Sequence, residues 1–207
     1  MQKCYNEIRN ERVVFIVQVL KDELRHKILL EAQHLFLQRG YDRTSLQMIA
    51  DKVNISKSNL YHYFKNKEEL FYELTDGAAE GLKKLILRFK DKRFDPRTGQ
   101  REYQVLLTEE VISLLLAEKY GLLLIMEQSH GTRYEDLRKS MIDMLAAKTA
   151  PLLADEDNSL LLAQIMASNL IDGTVQILKN RIRPREVRMN LNRLEEYHTN
   201  GINALLK

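Results

Sequence analysis

Apolar residues return at intervals of three and four along most of this chain, the period of a helix with one buried face. Leu24, Ile28, Leu29, Ala32, Leu35 and Phe36 set the first stripe, and Gly40 follows where a helix-ending αL residue belongs. Thr44 with Gln47 three residues on has the pattern of a capping box. It opens a short helix whose buried stripe is Leu46, Ile49, Ala50 and Val53. Asn54 breaks that helix, because Asn tolerates the αL conformation second only to Gly. Ser56 caps another short helix with Leu60 and Phe64 inward. Asn66 with Glu69 caps a long one through Phe71, Leu74, Ala78, Leu82, Leu85 and Phe89.

The stretch 93–99, with Pro96 and Gly99, is the best boundary in the chain. Further helices are expected at about 101–118, 121–129, 133–149, 157–180 and 185–206, with Pro151 and Pro184 marking two of the breaks. The run from Leu160 to Leu178 is apolar nearly all round and should be buried on more than one face. The last helix carries Val187, Leu191, Leu194 and Leu205. These two helices either pair with their copies in a second subunit or close the monomer's own core. For pairing, the candidates are Leu161, Ile165, Ser168, Val175, Leu191 and Leu194. The fold class is therefore all-α. The division is an N-terminal extension at 1–20, a three-helix helix-turn-helix domain at 21–67, a long helix and linker at 68–100, and a helical ligand-binding and dimerisation domain at 101–207.

Composition narrows the class. In 207 residues, 44% are apolar and 29% charged, enough for a sizeable core and too polar for an integral membrane protein. Eight Gly and three Pro are too few for an all-β chain. The single Cys4 cannot form an intramolecular disulfide, which fits a reducing, cytoplasmic compartment. Val13 to Leu20 is apolar except for Gln18, but too short to span a bilayer and without a small-residue cleavage site. Charge is uneven: residues 1–101 hold twenty Lys and Arg against fourteen acids, and the remainder twelve against fifteen. Such asymmetry hints at an anionic partner for the first half only. Eight basic residues between Gly81 and Arg101 read as a solvated face and linker.

The most informative stretch runs from Thr44 to Lys67. Two short helices around a tight turn match a helix-turn-helix, whose second helix enters the major groove. That helix presents Lys57, Ser58, Asn59, Tyr61 and His62 outward, and from Asn54 to Lys67 there are three Lys and no acid. A capped helix start with this charge suits phosphates.

Gly40-Tyr41-Asp42-Arg43-Thr44-Ser45, Ile49-Ala50, Ile55-Ser56-Lys57, Leu60-Tyr61-His62-Tyr63-Phe64 and Lys67-Glu68-Glu69-Leu70 closely resemble the N-terminal domain of the TetR family of bacterial transcriptional regulators. The resemblance covers about Leu20 to Leu74. It implies that Thr44 and Ser45 touch phosphate, that Lys57, Ser58 and Asn59 lie nearest the base edges, and that Tyr61 and His62 meet phosphate or a thymine methyl. Lys67 would pin the DNA backbone. It also implies a homodimer on an inverted-repeat operator, released by a small-molecule effector. Two departures stand out: Asn54 where the family commonly has Gly, and Ser58-Asn59 where it often has Gly and a small residue. Asn59 can pair bidentately with adenine and so shift sequence preference.

Beyond Arg101 no catalytic or metal-binding constellation stands out; the five histidines are scattered without an i, i+4 pair, and no cofactor is implied. A pocket is the expectation, with Tyr103, Tyr120, Met126, His130, Tyr134, Met141 and Met144 as candidate lining. Asp172 is an acid in an otherwise apolar helix and a further candidate for ligand contact, a helix end or a dimer pair. The alternative function is a helical ligand-binding or protein-interaction dimer that does not read DNA.

Overall fold

The computed structural model of the chain describes residues 2–91, 107–153, 157–180 and 182–205. The chain divides into two units, Met1–Leu74 and Thr75–Lys207. Among the described residues all the elements are helices.

The first unit is built from α1 (Gln2–Arg39), α2 (Leu46–Val53), α3 (Lys57–Tyr61) and the start of α4 (Lys67–Asp91). Helix α1 does not begin near residue 22 as its apolar stripe suggests; it runs from Gln2, and no Gly or Pro interrupts it before Gly40. The N-terminal extension is therefore helix, continuous with the domain. Ile28, Ala32 and Phe36 of α1 are fully buried with Ile49, Ala50, Leu60, Leu70 and Phe71. Phe71 stands edge-on to Phe36 and Tyr41, with ring centroids 5.4 and 5.0 Å away. Gly40 ends α1 at φ 87°, its N–H donating to the Phe36 carbonyl at 2.9 Å. The N-cap of α2 is Ser45 rather than Thr44, with Ser45 Oγ accepting from Met48 N. Gln47 does not reach back to complete a capping box; its amide donates to Asp51 instead.

The second unit holds the rest of α4, α5 (Glu109–Ala117), α6 (Lys119–Glu127), α7 (Leu137–Thr149), a 3₁₀ turn at Ala150–Leu152, α8 (Ser159–Lys179) and α9 (Pro184–Asn203). Helix α8 packs on α7, α6 and α9. Turns occupy 129–136, so α7 starts at Leu137, later than its apolar pattern suggests. Ser129 is buried there, its hydroxyl donating to the Ile125 carbonyl at 2.7 Å, and Gly131 takes φ 78°. Pro184 opens α9 at a first-turn position, where a missing N–H leaves no bond unmade. The boundary expected at 93–99 lies outside the described residues.

Helix α8 is not buried on more than one face throughout. Ala163, Ala167, Leu170, Ile171, Val175 and Leu178 face inward, but Leu160, Leu161 and Ile165 are 54%, 57% and 49% exposed. It is the one described helix long and apolar enough to cross a membrane by length and composition. The stripe expected on α9 is also altered. Val187 and Leu191 are buried, joined by His198 and Ile202, whereas Leu205 lies beyond the helix end and is exposed. Burial holds the His198 imidazole below its ordinary pKa.

Candidate functional site

The turn between α2 and α3 is made by Asn54 at φ 62°, ψ 49°, a left-handed conformation that Asn sustains in place of Gly. Its N–H donates to Asp51 O, and Ile55 N donates to Ala50 O at 3.0 Å, closing the last carbonyls of α2. Ser56 Oγ then accepts from Asn59 N at 3.1 Å and starts α3. Leu60 anchors α3 in the core, which turns Lys57, Ser58, Tyr61 and His62 to the surface. These four form an exposed polar face without an acid. The Lys57 ammonium lies 5.9 Å from the Tyr61 ring.

Asn59 does not share that face. It is half-buried in a groove with Lys21, Asp22 and Arg25 of α1 and with His62 and Tyr63. Arg25 is held by Glu73 and stacks over the Phe64 ring at 4.9 Å, and the bond to Glu73 raises its pKa further. Lys21 is the residue that sequence reasoning missed here. Nothing in its local pattern marks it, because only the packing of α1 against α3 sets it beside Asn59 and His62.

Two expected phosphate contacts take structural roles. Thr44 is 2% exposed, and its hydroxyl donates to Gly40 O at 2.7 Å and to Leu35 O at 3.3 Å. That hydroxyl is turned inward onto these two carbonyls and ties the α1–α2 corner. Thr44→Val is expected to cost about 1 kcal/mol of stability and to leave the salt dependence of any DNA binding unchanged, as measured by urea unfolding and binding titrations. Lys67 is half-buried, with Nζ donating to Tyr41 O at 2.7 Å and sitting 4.1 Å over the Tyr41 ring. Desolvation lowers its pKa, while Asp42 opposes that shift. Lys67 thus braces the turn before α2 with at least part of its donor capacity. Ser45 remains exposed at the N-terminus of α2.

In the second unit, an apolar cavity of about 100 Å³ lies among α4 to α8. Met126, Met141 and Met144 line it as expected, and Ile86, Leu122 and Ile171 are among the residues the sequence did not single out. Its one polar side chain is Thr174, whose hydroxyl already donates to Leu170 O at 2.8 Å. The other candidates lie elsewhere. His130 is exposed and faces Glu135, and Tyr120 is also exposed. Tyr103 lies outside the described residues. Tyr134 belongs to a neighbouring polar cleft with Asp76 and Arg133, where burial raises its phenol pKa. Asp172 pairs with Arg138 and accepts from Ser168 Oγ at 3.2 Å, so its place is the α7–α8 surface. Among the described residues no group of three His, Cys, Asp or Glu could hold a metal ion.

The candidate dimer contacts divide. Leu161, Ile165 and Ser168 lie on one face of α8, a helical turn or two apart, with the two apolar members exposed. Val175 and Leu191 are 5% and 0% exposed and are filled against the unit's own core, so they are unavailable to a partner. Leu194 is half-buried and packs against Gly173, where an added Cβ would lie 2.9 Å from its Cδ2. The exposed Leu160, Met189 and Tyr197 were not anticipated.

A three-helix head with a Ser-capped second helix and a left-handed Asn turn defines a helix-turn-helix protein with an all-helical second unit. Residues 28–74 match the TetR_N family model, described as bacterial regulatory proteins, tetR family. Over this segment, about a quarter of its length, the chain is similar to that family. It is 36% identical over 89 residues to the uncharacterized HTH-type transcriptional regulator YuxN of Bacillus subtilis, covering 42% of this chain and 31% of that protein. It is 34% identical over 71 residues to IcaR of Staphylococcus epidermidis, the HTH-type negative transcriptional regulator of the biofilm operon icaADBC. That match covers 34% of this chain and 38% of IcaR. The chain thus aligns with about a third of the length of these curated relatives. A TetR-like transcriptional regulator from Rhodococcus sp. RHA1 superposes with a TM-score of 0.52 at 19% identity, over 86% of this chain and 96% of that one, which shows the fold.

Proposed function

We propose that the protein is a cytoplasmic, homodimeric transcriptional regulator that reads an inverted-repeat operator and is released from it by a small-molecule effector. The observation that carries this reading is the exposed face of α3, where Lys57, Ser58, Tyr61 and His62 stand together on a capped helix start with no acid among them. Such a face is suited to phosphates and base edges, and an α-helix of this size fits the major groove. Lys21 and the half-buried Asn59 lie in the adjoining groove on the α1 side. Leu160, Leu161 and Ile165 offer the apolar surface for a second copy, and the two α3 helices would then meet half-sites about 34 Å apart. The apolar cavity of the second unit is the site proposed for the effector. An effector acts only through its different affinity for DNA-bound and released conformers.

The test is selection of bound sequences from random duplexes by the purified chain, followed by titration of the winner at two salt concentrations. A tight inverted repeat with a steep salt dependence is expected. Lys57→Ala is expected to lower the salt slope by about one. The absence of any enriched sequence, with weak and uniform binding, would instead favour a helical ligand-binding dimer.

A further inference from the structure

We propose that the cavity of the second unit takes an uncharged molecule, hydrocarbon over nearly all its surface and about the size of a single benzene ring. This names the class of the effector and rests on the reading that this unit holds one. Among the described residues, every side chain lining the cavity is Leu, Ile, Val or Met except Thr174. The Thr174 hydroxyl donates to Leu170 O at 2.8 Å, so its proton is already engaged. None of these side chains carries a charge or an N–H. A charged guest would lose its hydration with nothing in exchange, and a guest hydroxyl would find at most the lone pairs of Thr174. Apolar surface, by contrast, is favoured wherever it touches this wall.

Size narrows the guest further. The cavity measures about 100 Å³. An apolar cavity of ~150 Å³ engineered into another protein takes benzene, and water does not compete there because no polar group repays its lost hydrogen bonds. The two spaces are of one order, and the walls here can yield. Met126 reaches in from α6, and Met141 and Met144 from α7, each with an unbranched, flexible chain that adapts to an irregular outline. Guests of two or more rings exceed what these three side chains can clear.

The polar cleft beside the cavity does not add a charged subsite. Ile86 lines both spaces. The cleft sets Asp76 and Glu80 against Lys83 and Arg133, so its acids and bases offset each other. Asp76, Arg133 and Tyr134 are also bonded to one another. A cation or an anion carried on the guest gains no preference there. Recognition is left to burial and fit inside the cavity.

The experiment is calorimetric titration of the full chain with toluene, phenol, benzoate and benzylamine, alongside an NMR titration of the chain with isotope-labelled methionine methyl groups. Toluene should bind tightest. Phenol should bind about tenfold more weakly or worse, and benzoate and benzylamine should show no binding. Toluene should shift the methyl signals of Met126, Met141 and Met144. Met48 in the first unit and the exposed Met189 should stay in place. Equal affinity for toluene and phenol would overturn the proposal. So would tighter binding of either charged compound, toluene shifts at Met48 or Met189 in place of the cavity methionines, or no binding of toluene. The sequence selection described above is separate: a chain that selects an inverted repeat but does not bind toluene sinks this inference alone. One that binds toluene as stated but enriches no DNA sequence supports the chemistry of the cavity and sinks the regulator reading.

Discussion

Phe71→Ala is expected to destabilise the N-terminal unit by about 3–5 kcal/mol and to abolish DNA binding with it. The side chain is fully buried and meets Phe36 and Tyr41 edge-on, an arrangement that adds to what burial alone contributes. Tyr41 in turn accepts the Lys67 ammonium on its carbonyl and lies under it with its ring. Removing the Phe71 ring leaves a cavity under the corner that starts α2, the helix on which α3 packs. A domain of marginal stability, about 5–15 kcal/mol, loses much of its margin. Urea unfolding of the full chain, followed by tyrosine fluorescence since there is no Trp, reads the loss. A variant that unfolds at the native midpoint would show that this aromatic cluster does not organise the head.

Replacing both Leu161 and Ile165 by Asp is expected to convert the proposed dimer to monomer while the chain stays folded. Both are about half exposed, so little internal packing is lost, and such surface changes usually alter stability by within about 0.5 kcal/mol. At a subunit seam the same substitutions place four carboxylates in an apolar contact, where charge is strongly disfavoured. With only one reading helix per particle, affinity for the inverted repeat should fall by about a hundredfold or more, since the second half-site no longer adds its contribution. Sedimentation velocity and binding titrations check the two effects. A dimer that survives both substitutions would place the subunit contact elsewhere. Val175 and Leu191 offer no such test, because their replacement disrupts the core first.

What could be read in advance was local. Asn54 in the left-handed turn, Ser56 capping α3 and Asn66 Oδ1 accepting from Glu69 N at 2.7 Å each depend on residues within a few positions. The inward set Leu46, Ile49, Ala50, Val53 and Leu60 follows from helical period. The motif from Thr44 to Lys67 also carries the family likeness, and it falls in the segment that the family model matches.

The roles of particular polar residues were decided by neighbours distant in the chain. The sequence pattern assigns the helix cap to Thr44. The carbonyls of Leu35 and Gly40 draw the Thr44 hydroxyl inward and leave the cap to Ser45. Asn59 is half-covered because α1 passes beside α3, and Lys67 turns to Tyr41 because a loop 26 residues earlier presents a carbonyl. Among the methionines, period alone could not separate cavity from core. His130 and Tyr134, four residues apart around Gly131, part company because the turn at 129–136 faces one outward and sets the other on Asp76. Period and capping by themselves determined that this chain is helical and which residues make the turn between α2 and α3, since both are satisfied within one or two turns of chain. Which side of α8 is covered, and which residues surround the cavity, only the tertiary structure decided, because burial and charge pairing depend on what other segments bring alongside.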